Sequence, residues 1–114
     1  MPNSGLFGPH SLTQAGVAAN ATGIGPGAYA LGHLNQSGTF CISYVGRSDD
    51  DLAGRLQQHV PERYTHFKHA FYPSAKAAFD KECTLYHDFE PTDNKVHPAR
   101  PRNTNWACPR GCAL

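Results

Sequence analysis

From residue 27 onward the chain alternates apolar and polar positions in short runs broken by turn residues. Gly27-Ala28-Tyr29-Ala30-Leu31-Gly32-His33-Leu34 reads as a strand, and Asn35-Gln36-Ser37-Gly38 as the turn after it. Thr39-Phe40-Cys41-Ile42-Ser43-Tyr44-Val45-Gly46, rich in β-branched and aromatic residues, reads as an antiparallel partner. Leu52, Leu56 and Val60 recur at helical spacing, predicting a helix from about Asp49 to Val60, with Ser48 or a neighbouring Asp as its cap and Pro61 as its stop. His66 to Tyr72 fits a third strand ended by Pro73. Ser74 caps a second helix over 75–89 that turns Ala78, Phe79, Leu85 and Phe89 inward. The expected fold is α+β: a small three-stranded antiparallel sheet flanked by helices, followed by an irregular C-terminal tail. Residues 1–26, rich in Gly, Ala, Ser, Asn and Pro, read as a flexible arm ahead of a domain over 27–114.

Composition changes this picture little. At 114 residues the chain is one domain with a modest core, and 11 Gly and 9 Pro imply much turn and loop. No apolar run approaches the roughly 18 residues of a membrane span. The N-terminus lacks both a basic stretch and a continuous apolar stretch, so a cytoplasmic location is expected, with specialised secretion still compatible. Net charge is only +1, but Lys95, Arg100, Arg102 and Arg110 stand in a tail without Asp or Glu, beside Trp106. Such a stretch suits phosphates, and Trp106 a base to stack on it.

The chemistry-bearing residues follow a fixed order. Gly27-Ala28-Tyr29 lies on the first strand and Tyr44-Val45-Gly46 on the second. Arg55 and His59 share a face of the first helix, Glu82 sits on the second helix, and Asn94 comes just beyond it. Glu82 is a hard oxygen ligand suited to one Mg²⁺ or Mn²⁺. The Arg55 guanidinium matches a phosphate. Tyr29 and Tyr44 offer hydroxyls to an attacking water or to the phosphate, His59 a proton relay to Tyr29, and Asn94 an uncharged positioning group. Taken singly, each has an ordinary reading: packed tyrosines, a surface ion pair between Arg55 and Asp51, a surface glutamate, a turn asparagine.

Together the series resembles the GIY-YIG nuclease family over about residues 27–94, with Ala28 and Val45 in place of the usual isoleucines. The resemblance implies an endonuclease that hydrolyses phosphodiester bonds of DNA, single- or double-stranded, with one divalent metal and catalytic roles at Tyr29, Tyr44, Arg55, His59, Glu82 and Asn94. A non-catalytic nucleic-acid-binding module is the first alternative. A secreted toxin or effector nuclease, which would come with an immunity protein, is the second.

Four cysteines in a chain without a signal peptide argue for thiols or metal rather than disulfides. Cys83 and His87 are four apart on the second helix, and Cys108 and Cys112 flank Pro109 and Gly111 in the tail. The four would make a tetrahedral zinc set pinning the tail to the helix, with His97 able to replace one ligand.

Overall fold

The computed structural model describes residues 5–23, 25–60, 64–89 and 91–94. In chain order the elements are β1 (Phe7–Ser11), α1 (Gln14–Asn20), β2 (Gly27–Leu34), β3 (Phe40–Ser48), α2 (Leu52–Gln58), β4 (His66–Phe71) and α3 (Ala75–Phe89). They form an α+β fold with one four-stranded antiparallel sheet in the order β1-β4-β2-β3.

The central hairpin forms where the alternation predicts it. Asn35 closes the turn, its Oδ1 accepting from the amides of Ser37 at 2.9 Å and Thr39 at 3.0 Å, while Gly38 takes a φ of +81°. β2 lies between two strands and between two layers, so its first six residues are all buried. Tyr29 and Leu31 join Leu12, Val17, Leu52, Leu56, Tyr64 and Phe67 in the core under α1 and α2. Ala28 and Ala30 face the other way, joining Val45, Ala70 and Leu85 under α3.

The sheet has four strands rather than the three expected, because the N-terminal segment read as an arm supplies β1 and α1. β1 pairs along β4, with Phe7 opposite His69 and Ser11 opposite His66. Without it β4 would be a bare sheet edge, whose unpaired amides and carbonyls invite association. Gly8 and Pro9 hid the strand, since proline is tolerated in a sheet at its edge. Thr13 then caps α1, its hydroxyl accepting from the Gly16 amide at 2.9 Å. α2 is shorter than the expected 49–60 helix. Asp51 is its N-cap, accepting from the Gly54 amide at 3.0 Å, and His59 its C-cap. Asp49 and Asp50 therefore lie in the β3–α2 loop rather than in the first helical turn.

β4 carries a buried histidine. His69 packs its ring against His10, Phe67 and Phe71 at 5.5, 5.6 and 5.8 Å, and no hydrogen-bond partner for its Nδ1 exists among the described residues. Burial, and then the nearby His10, hold its pKa below the ordinary 6.5. The unfolded chain therefore takes the proton first as pH falls below about 6.5. Stability present above that pH is lost on acidification toward the lower folded-state value. The expected result is a melting temperature that falls between pH 7.5 and pH 5, with a smaller fall in His69→Phe. Equal falls would show that other groups set the acid sensitivity.

Candidate active site

A cleft of about 210 Å³ is lined by Tyr29, Tyr44, Gly46, Arg47, Asp49, Arg55 and Glu82. Strand alternation explains how residues from both layers reach it. Tyr44 and Gly46 lie on the α2 side of β3, whereas Val45 and Arg47 lie on the α3 side. β3 is an edge strand, so the cleft wraps around it, with Tyr29 and Arg55 on one side and Glu82 on the other.

The two glycines of the tyrosine triplets are steric requirements. Gly46 stands opposite Tyr29 in the sheet, and a Cβ there would lie 2.4 Å from the Tyr29 hydroxyl oxygen and 2.5 Å from its Cζ. At Gly27 a Cβ would meet the Ala70 carbonyl oxygen and Leu52 Cδ2, both at 2.5 Å. Gly46→Ala is expected to push the Tyr29 ring out of the cleft. Cleavage should fall about a hundredfold if the nuclease reading below holds, with a melting temperature lowered by several degrees through overpacking. Activity within twofold of wild type would show that the ring position is unimportant.

Tyr29 is fully buried apart from its approach to the cleft. Its hydroxyl lies 2.9 Å from His59 Nε2, and the rings of Tyr29, Tyr44 and His59 form a triangle with centroids 5.4–6.4 Å apart. Burial drives the Tyr29 pKa well above the ordinary 10.0, while Arg55 beside it pulls the other way and Tyr44 adds to the rise. At neutral pH Tyr29 is therefore the neutral phenol, within hydrogen-bond distance of the imidazole. Arg55 is exposed on α2, and its guanidinium also donates to Gln58 Oε1 at 3.1 Å.

Glu82 is 7% exposed on α3. The Arg47 guanidinium donates to Glu82 Oε1 at 2.5 Å and to Asp49 Oδ1 at 3.0 Å, with the Phe79 ring beneath it at 5.1 Å. Arg47 is, with Asp49, a cleft residue that sequence reasoning missed. Its signal was present, a cation directly after the Tyr44-Val45-Gly46 triplet, but alternation assigns it to the face opposite Tyr44.

A buried carboxylate calls for a cation. Here Arg47 supplies it, pairing with both cleft carboxylates, Glu82 and Asp49; an oxygen ligand of this kind also suits Mg²⁺ or Mn²⁺, which retain waters and take few protein ligands. Among the described residues no three His, Cys, Asp or Glu side chains cluster as a metal-binding group; a metal held at the cleft by few protein ligands would use Glu82.

The remaining expected residues lie elsewhere. Asn94 is not among the residues lining this cleft. Its Oδ1 accepts from the Val45 amide at 2.8 Å and its Nδ2 donates to the Val45 carbonyl at 3.0 Å, so it clamps the free edge of β3. Cys83 is wholly buried on α3 with Ala78, Phe79 and Glu82. His87 borders a separate hollow with Tyr86, Pro91 and Asn94. Cys108 and Cys112 of the zinc set, the alternative ligand His97, and Lys95, Arg100, Arg102 and Trp106 of the nucleic-acid-binding set lie outside the described residues. Among the described residues no helix is long and apolar enough to cross a membrane. No family model, curated protein or solved structure matches this chain.

Proposed function

We propose that this chain is a metal-dependent endonuclease that hydrolyses phosphodiester bonds of DNA. The observation that carries the reading is a single cleft lined by Tyr29, Tyr44, Arg55 and Glu82, with His59 hydrogen-bonded to the first of them. In this reading Arg55 offers its guanidinium to the non-bridging oxygens as charge accumulates on phosphorus. Tyr29 takes the proton of the attacking water as its own proton moves from the hydroxyl to His59 Nε2. Tyr44 donates a hydrogen bond to the water or the phosphate. Glu82 would hold the divalent ion, which supplies Lewis-acid stabilisation of the developing charge and the leaving oxygen. A carboxylate able to hold a divalent ion beside Arg55 favours catalysis over simple binding, which needs no such group.

Incubation with plasmid and with labelled single-stranded DNA, duplex DNA and RNA, in Mg²⁺ and in EDTA, tests the proposal. Cleavage of DNA in Mg²⁺ and none in EDTA is expected, with Arg55→Ala slower by about a hundredfold. A protein that binds these substrates but cuts none of them in Mg²⁺ or Mn²⁺ would overturn it.

A further inference from the structure

We infer that Asp93 and Tyr64 are positioning residues for Tyr44: Asp93 fixes the Tyr64 ring by its hydroxyl, and that ring sets where the Tyr44 hydroxyl stands in the cleft. The part that Tyr44 plays there rests on the nuclease reading. Neither Asp93 nor Tyr64 belongs to the series of tyrosine, arginine and glutamate residues on which that reading is built.

Three observations carry it. First, the Tyr44 ring stacks on Tyr64, with centroids 6.4 Å apart and planes at 28°. Tyr44 lines the cleft, whereas Tyr64 is buried and borders a neighbouring hollow with His33, Ser43, Thr92 and Asp93. Tyr64 thus supports the Tyr44 ring without itself lining the cleft. Second, the Tyr64 hydroxyl donates to Asp93 Oδ2 at 2.7 Å, a bond strengthened by the carboxylate charge. Stacked rings alone can slide and tilt, but a hydroxyl tied at the far end fixes the plane of the ring. Third, Asp93 is itself tied to the strand that carries Tyr44. Its amide donates to the Ser43 carbonyl at 2.9 Å, and Asn94 brackets the Val45 amide and carbonyl. The residues on both sides of Tyr44 are therefore held by one two-residue segment. Asp93 lies four residues past the end of α3, the helix of Glu82. Tyr44 and Glu82 are thereby referenced to one another across the edge strand. A misplacement of about 1 Å at a reacting group can cost about a hundredfold in rate, and a small ring tilt moves the hydroxyl at its tip furthest.

The test combines single-turnover DNA cleavage in Mg²⁺ with the NMR ring signal of Tyr44 in tyrosine-labelled protein without DNA, assigned by its loss in Tyr44→Phe. Tyr64→Phe, Asp93→Ala and Asp93→Asn are made in wild type and in Tyr44→Phe. Leu85→Ala, buried in the opposite layer, controls for lost stability, and thermal melts establish that each protein is folded at the assay temperature. Tyr64→Phe and Asp93→Ala are expected to slow the saturated rate about tenfold with half-saturation unchanged, and to shift the Tyr44 signal. Asp93→Asn, whose amide oxygen still accepts from Tyr64, should retain most of the rate and the original signal. In Tyr44→Phe there is no hydroxyl to position, so the same changes should cost less than about twofold. Leu85→Ala should leave the Tyr44 signal in place. An Asp93→Ala protein with an unmoved Tyr44 signal, or equal losses of rate with and without the Tyr44 hydroxyl, would overturn the inference. A protein that cuts no DNA removes the nuclease reading, and the Tyr44 signal then decides alone whether Asp93 holds the ring.

Discussion

Glu82→Gln is expected to reduce Mg²⁺-dependent DNA cleavage by about a thousandfold while leaving the chain folded. The amide has the shape of the carboxylate but lacks the negative charge that a divalent ion requires. The structural cost is limited because the amide oxygen still accepts from Arg47, and Asp49 still pairs with the same guanidinium at 3.0 Å. A loss of about 1–2 kcal/mol is the scale for weakening one charge-assisted hydrogen bond in this setting. Plasmid nicking rates with parallel circular-dichroism melts separate the two effects. Cleavage retained within tenfold of wild type in a folded Glu82→Gln protein would remove Glu82 from the chemistry.

Phe79→Ala is expected to produce the largest loss of stability, about 3–5 kcal/mol. Phe79 is fully buried on α3, among the largest side chains in the core. Truncation loses apolar burial and leaves a cavity that its neighbours on a regular helix cannot fill. Against a total of roughly 5–15 kcal/mol for a domain, that is a large share, and the melting temperature should fall by about 12 °C or more. Phe79 also supports Arg47 from below, so the truncation should weaken DNA binding below the melting transition. Leu85→Ala is the comparison: Leu85 is equally inaccessible on the same helix, and it should lower stability without loosening DNA binding. Equal binding by both variants would show that the ring beneath Arg47 has no role at the cleft.

The meeting of Arg47 with Glu82 and Phe79 illustrates what a linear reading reveals and what it misses. α3 was legible because Ser74 and the apolar stripe at 78, 79 and 85 are local signals, and Glu82 lies one turn from Ala78 and Phe79 on that stripe. Arg47 was not legible, because strand alternation sends it away from Tyr44, and nothing nearby in the sequence indicates that α3 packs on that side of the edge strand. Asn94 shows the converse. Its place after α3 suggested a positioning group for phosphate, but Val45 occupies both of its amide atoms, a contact 49 residues away in sequence.

The sequence by itself determined the hairpin, α2, β4 and α3, and the order in which Tyr29, Tyr44, Arg55, His59 and Glu82 occur. Each of those follows from periodicity, caps and turns acting over a few residues. Only the tertiary structure decided that the N-terminal segment closes the open edge of β4, that the side chains of two layers meet around β3, and that Arg47 rather than solvent faces the carboxylate. Those outcomes depend on which edges need covering and on how far a side chain reaches across a sheet boundary. Both are properties of the packed whole, set by burial and by charge pairing between residues far apart in the chain.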